Sequence, residues 1–243
     1  RAIDRGLPVF CQKPLGRSAA EVGHVIAAAK RRDLLLGVDL SYRHVEGIVR
    51  IERLLRTQEL GRVFAARLVF HNAYGPDKAW FYDRTQAGGG CVIDLGIHLV
   101  DLALWLLDSQ VTRVESAVFC GGELMEPGDE RIEDFAASRL ALANGVIVEI
   151  DCSWRLHAGQ HAVIEATFHG TQGGAAFQNV NGSFVDFRAE RLNGTCRAQL
   201  ADPPDDWSGR AAVAWARKLA NGSGVVPEIE RQNEVAEVLD LIR

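Results

Sequence analysis

The chain has 243 residues, of which 47% are hydrophobic and 24% charged, and a formal net charge of −5. That length supports one large or two modest cores, while the mild acidity and scattered Lys and Arg argue against a nucleic-acid partner. No uninterrupted apolar run reaches the roughly 18 residues that span a bilayer and no signal peptide opens the chain, so no membrane association is expected; five widely spaced cysteines suit reduced thiols in a cytoplasmic protein.

Residues 1–5, closed by Gly6, read as the end of a helix with a glycine cap, and residues 7–11 as a short apolar strand. The first residue is Arg1 and the sole methionine is Met125, a pattern expected of a chain that is not a complete translation product. Ser18 with Glu21 three positions later predicts a capping box, opening a helix whose apolar face is Val22, Val25, Ile26 and Ala29. A second strand is predicted at 34–40, and strand, helix and strand in that order imply a parallel pair. Residues 1–41 therefore read as the end of a parallel α/β domain.

Residues 42–243 read as an α+β domain with a large, predominantly antiparallel open sheet. A helix is predicted at 45–60, followed by strands at 63–72 and 111–120. Asn144-Gly145 predicts a two-residue hairpin turn, which would oppose Ala143 to Val146, Ala141 to Val148 and Phe135 to Trp154. Further strands are expected at 162–169, 175–179 and 184–191, and helices at 207–220 and 228–243. Arg231 and Asp240 fall on the solvated face of the last helix.

The most distinctive stretch is Gly88-Gly89-Gly90 followed by a long leucine-rich run, which predicts a helix over 91–107. On it Asp94, His98 and Asp101 stand at i, i+4 and i+7, within about 60° of arc at 3.6 residues per turn. A buried acid is costly unless paired, so the stripe is either a satisfied core pair or a functional site. Metal ligation is a third option, unsupported by any HExxH or CxxC pattern. Lys13 follows the first predicted strand, and Tyr42 and Arg43 follow the second. All three sit at the carboxyl edge of a parallel pair, where open α/β sheets bind ligands.

Cys11-Gln12-Lys13-Pro14-Leu15 resembles the C-E-K-P-[LI] motif of the Gfo/Idh/MocA family of NAD(P)-dependent oxidoreductases. The glycine triplet with Asp94-Leu95-Gly96-Ile97-His98-Leu99-Val100-Asp101 is similar to that family's GGG…D-x-G-x-H-x-x-D segment. Tyr42-Arg43 matches its YR position and Thr171-Gln172-Gly173-Gly174 its glycine turn, so the resemblance runs through the chain in order. It implies a Rossmann domain joined to a substrate-binding domain whose open sheet mediates homo-oligomerisation. It further implies an NAD or NADP cofactor contacted by Cys11, Gln12, Lys13, Pro14 and Arg43, and a sugar or polyol substrate. Lys13, Asp94 and His98 are implied as the catalytic group: His98 as base, Asp94 orienting it, and Lys13 stabilising the alkoxide.

His71, Asn72 and Trp80 are candidate substrate contacts beside Asp94 and His98, while Phe81 is a candidate wall and His157 and His161 are expected to be exposed. Gln12 replaces the motif's acid, which implies a changed cofactor contact, and His44 stands where the family often has an aromatic residue. No GxGxxG occurs in the 243 residues, so this chain alone is expected to bind nucleotide weakly. A family-like chain without turnover, serving as an assembly or binding module, is the alternative reading.

Overall fold

The computed structural model describes residues 1–126 and 128–243. Strand β1 (Val9–Gln12), helix α1 (Ala19–Arg31) and strand β2 (Leu36–Asp39) form the expected unit, with β1 and β2 parallel and Phe10 opposite Gly37. Ser18 Oγ accepts from the Glu21 amide at 3.4 Å, as a cap should. The Glu21 carboxylate instead accepts from the Arg17 amide, one residue before the reciprocal partner of a capping box.

After α2 (Glu46–Arg56) the chain builds a nine-stranded sheet from β3 (Val63–Asn72), β4 (Val111–Cys120), β5 (Glu123–Leu124), β6 (Phe135–Leu142), β7 (Ile147–Ser153), β8 (Ala162–Gly170), β9 (Gly174–Asn179), β10 (Phe187–Asn193) and β11 (Cys196–Ala201). Its spatial order is β11-β10-β9-β8-β3-β7-β6-β4-β5. Every described neighbour pair is antiparallel except β3 with β7, which run parallel at the centre. The expectation of antiparallel order thus holds outside that pair.

The hairpin register differs from the expected one by a single residue. Leu142 donates to Val146 and Gly145 to Leu142, so the loop holds three residues, 143 to 145, with Gly145 at φ 84°. Leu140 consequently opposes Val148, and Phe135 opposes Ser153 instead of Trp154. A one-residue slip exchanges the faces of a strand; here the longer loop brings Leu140 and Val148, both fully buried, onto the same inner face.

Between β3 and β4 lie α3 (Arg84–Ala87) and α4 (Ile97–Leu107), joined through a π-helical turn at Val92–Gly96. The helix expected at 91–107 is therefore wider-wound at its start. The stretch Arg84–Leu107 has a mean hydropathy of 1.8 over its most apolar window, long and apolar enough by length and composition alone to cross a membrane. That window is 78% buried inside the fold. A helix apolar on all sides fits such a place, with α4 lying between the sheet (β3 and β7) and the last helix, α6 (Arg231–Ile242).

Helix α5 (Arg210–Ala220) lies beside β2, with Trp215 packed on Phe10 at 5.7 Å. Helix α6 packs on α1, α4 and β4, which ties the parallel pair to the large sheet. Arg231 and Asp240 are part of that tie and not merely solvated. Arg231 donates to the Leu104 carbonyl and to Asp108 Oδ1 at the end of α4, and Asp240 Oδ2 accepts from the Ala19 amide at the start of α1.

Candidate functional site

The cluster that carries chemistry forms where β1 meets the π-turn. Lys13, immediately past β1, donates from Nζ to the Asp94 backbone carbonyl at 2.6 Å and to Asp94 Oδ1 at 2.8 Å. The other carboxylate oxygen, Oδ2, accepts from the Trp154 indole Nε1 at 3.1 Å. Asp94 is thus gripped between an ammonium and an indole, and among the described residues no hydrogen bond joins it to His98. The direct Asp94–His98 bond that an orienting role would use is absent among the described residues, and Asp94 bonds Lys13 instead.

His98 lies one turn on, 8% exposed, with its ring edge-on to Tyr42 at 4.9 Å and near Phe70 at 6.1 Å. Its Nδ1 is buried without a hydrogen-bond partner among the described residues. Burial, helped by the Lys13 ammonium, holds the imidazole well below its ordinary pKa, so the ring is neutral. Neutral imidazole retains an acceptor nitrogen, which a proton-accepting role requires.

The third acid of the stripe has a different partner. Arg43 grips Asp101 through both Nε, at 2.8 Å, and the Nη2 amine, and its guanidinium carbon lies 5.3 Å from the centre of the Trp105 ring. With Asp101 only 2% exposed and Arg43 17%, this is a buried, bidentate pair. Of the other residues expected on the cofactor side, Gln12 is exposed at the end of β1, Cys11 and Pro14 are half-buried beside it, and Cys11 has its thiol pushed up by burial.

The remaining substrate candidates separate. Asn72 lies at the end of β3 with its Oδ1 buried and unpartnered among the described residues. His71, its neighbour, faces the opposite side of the sheet, bonding Ser153 Oγ at 2.8 Å and stacking on Phe135, because successive strand residues alternate. That corrects the expectation that His71 shares a pocket with His98. Trp80 is 43% exposed and stacks on Phe81 at 3.9 Å, and Phe81 in turn meets Trp154 edge-on. Trp154 itself escaped the sequence reading. The off-by-one register placed it opposite Phe135, and no spacing rule marks an indole whose partner lies 60 residues away.

The pH dependence of stability follows from His98. Its folded pKa lies below the unfolded value, so the two states bind protons equally above about pH 6.5. Below that, the unfolded chain takes up a proton that the folded one refuses, and stability falls as pH falls. His44 and His71, both pushed down chiefly by burial, act in the same direction. Glu133, whose carboxyl burial pushes up, opposes them nearer the carboxylate range. Urea midpoints taken at about pH 7 and about pH 5.5 should therefore drop less for His98→Phe than for the parent chain. Equal drops would mean that His98 titrates normally in the fold.

Comparison with known proteins identifies the family and the fold. The family model for the GFO/IDH/MocA C-terminal domain matches residues 48–176, more than half of the chain. The 1,5-anhydro-D-fructose reductase of Ensifer adhaerens is 26% identical over 181 residues, covering 74% of this chain and 52% of that protein. The chain thus spans about half the length of the curated relatives it matches. Among solved structures, the aldose-aldose oxidoreductase of Caulobacter crescentus, complexed with glycerol, superimposes with a TM-score of 0.83 at 19% identity, over 99% of this chain and 70% of that one. A levoglucosan dehydrogenase in complex with NADH and levoglucosan gives 0.81 at 19% identity, over 99% and 72%. The π-turn cluster, the nine-stranded sheet and the family match together lead to one conclusion: the chain belongs to the GFO/IDH/MocA family.

Proposed function

We propose that this chain supplies the proton-handling wall of an NAD(P)-dependent oxidoreductase acting on the secondary alcohol or carbonyl of a sugar, polyol or related compound. On this reading residues 1–41 close a nucleotide-binding domain and residues 42–243 form the substrate and self-association domain. The observation that carries it is the Lys13–Asp94–Trp154 cluster at the carboxyl edge of the β1–β2 pair, beside a neutral His98 whose Nδ1 has no hydrogen-bond partner among the described residues. The sugar-directed names of the relatives and the NADH in a neighbour's structure point the same way.

The residues at this edge fit the nicotinamide end of such a cofactor. An exposed Gln12 side chain and the half-buried Cys11 and Pro14 make a rim at the end of β1 that could accept a polar ring. The glycine-rich phosphate grip is not among these 243 residues. A bound nicotinamide would supply hydride acceptance or donation at the substrate carbon.

An ammonium has three N–H donors, and Lys13 spends two on Asp94, leaving one for a substrate oxygen. As the alcohol is oxidised, an imidazole nitrogen of His98 takes the hydroxyl proton, and Lys13 Nζ donates to the oxygen where negative charge builds. Asp94 holds Lys13 in position, with Trp154 fixing the far carboxylate oxygen. Asn72 Oδ1 is left to meet a second hydroxyl. Arg43, spent on Asp101, contributes support beneath the site and offers the cofactor little beyond it. The outer face of the sheet, with its Arg67–Asp151 and Arg113–Glu115 pairs, is where two copies would associate.

The test expresses the gene's entire reading frame, titrates NAD and NADP by fluorescence, and then assays a panel of sugars and polyols with His98→Ala alongside. Binding of one nucleotide, and a turnover loss of at least about 100-fold in His98→Ala, are expected. Failure to bind either nucleotide sinks the oxidoreductase reading, and undiminished turnover in His98→Ala sinks the role of that ring.

A further inference from the structure

The first N–H groups of a helix have no internal partner and are usually met by a side chain just upstream. At the helix that carries Asp94 they are met from across the fold. Gly90 N–H donates to Glu133 Oε1 at 2.6 Å and Val92 N–H to the same oxygen at 3.3 Å, while Cys91 N–H donates to the Glu133 backbone carbonyl at 3.0 Å. Three consecutive amides therefore end on one residue, itself only 3% exposed. The approach needs Gly90, since a Cβ there would stand 1.9 Å from the Glu133 carbonyl oxygen.

The next residue closes the circuit. The Asp134 carbonyl accepts from the Trp154 backbone N–H at 2.7 Å, and the Trp154 side chain holds Asp94 Oδ2. The Asp94 amide in turn bonds the Gly90 carbonyl at 3.0 Å. Glu133 thus fixes the backbone from which Asp94 projects, and its neighbour fixes the backbone from which the indole projects.

We propose that Glu133 is a positioning residue, which through the amides of Gly90, Cys91 and Val92 sets Asp94 at the distance where Trp154 and Lys13 both reach its carboxylate. The role rests on the oxidoreductase reading for its purpose but not for its detection. A helix start is normally a local matter; here its geometry is slaved to the segment just ahead of β6, whose next residue holds the Trp154 backbone. A carboxylate suits the place, because the helix N-terminus carries partial positive charge and two donors converge on one oxygen.

The indole N–H resonance of Trp154, assigned by loss in Trp154→Phe, reads the position of Asp94 directly. The spectra are taken on the 243-residue chain without ligand. In Glu133→Ala the resonance should move toward the position it takes in Asp94→Ala, whereas Glu133→Gln, which keeps the accepting oxygen, should restore the parent position. Exchange of the Asp94 amide should speed by about tenfold in Glu133→Ala and return in Glu133→Gln. Should Glu133→Ala fail to fold by circular dichroism, Glu133→Asp, one methylene shorter, gives the same readout. An unmoved indole resonance in a folded Glu133→Ala or Glu133→Asp chain overturns the proposal, because a cap that only stabilises would leave the Asp94–Trp154 contact intact.

Kinetics of the full reading frame separate this role from the activity itself. Misplacing Asp94 should lower turnover by about 100-fold with the nucleotide KM unchanged. A shifted resonance with no turnover in the unsubstituted protein would remove the oxidoreductase reading and leave the positioning role standing.

Discussion

Lys13→Met is expected to lower turnover by about 100-fold to 1000-fold at saturating nucleotide, the range seen when a single oxyanion donor is removed. The substitution keeps most of the length of the side chain and deletes both the bonds to Asp94 and the third N–H, the one proposed to meet the substrate oxygen. Asp94→Asn is the informative companion, because it keeps an acceptor for Lys13 and Trp154 while removing the negative charge. If Asp94 acts through Lys13, the two effects should be far from additive when combined. Steady-state kinetics on both single variants and the double variant measure this. A Lys13→Met enzyme within about threefold of the parent kcat would show that the ammonium does no work in the reaction.

Arg43→Ala is expected to destabilise the fold by about 3–5 kcal/mol, because it strands the Asp101 carboxylate, 2% exposed, in the core without its partner. Loss of the guanidinium over Trp105 adds to the effect. Replacing both partners, as in Arg43→Met with Asp101→Leu, should recover most of the loss, since no buried charge then remains unpaired. Urea midpoints decide the matter. Were Arg43 devoted to the nucleotide, as its place in the YR motif implies, Arg43→Ala would instead leave stability within about 0.5 kcal/mol and weaken nucleotide binding alone.

The parts legible in the sequence are those set by local pattern. The β1–α1–β2 unit, the apolar helix behind the glycines and the ionisable stripe on it all follow from periodicity over a few turns. The place of Lys13 at the edge of a parallel pair follows from its sequence, because a strand followed by proline leaves little choice about where the chain turns. What escaped depends on distant partners. The π-turn begins where Glu133 and its backbone meet three amides, at a glycine that admits them. No residue within the helix announces it. Trp154 follows a hairpin whose loop took in Ala143, a shift of one residue that exchanges the faces of β6 relative to β7. Asp94 and His98, one turn apart, invited a direct bond. The structure gives Asp94 to Lys13, 81 residues away, since an ammonium is the stronger claimant for a half-buried carboxylate.

The parallel β3–β7 pair carries a consequence for how the molecule is made. Ala65 lies opposite Ile147, and on its other side opposite His169, so neither edge of β3 finds a partner until more than 80 further residues have been synthesised. The apolar α4 likewise lacks its cover until β7 and, later, α6 have been made. Contacts that distant in sequence slow assembly, because loop closure precedes any gain from pairing. During translation, the segment bearing Asp94 and His98 is therefore the one most in need of shelter, and a nascent chain stalled before residue 147 should be a better chaperone client than one released after residue 170.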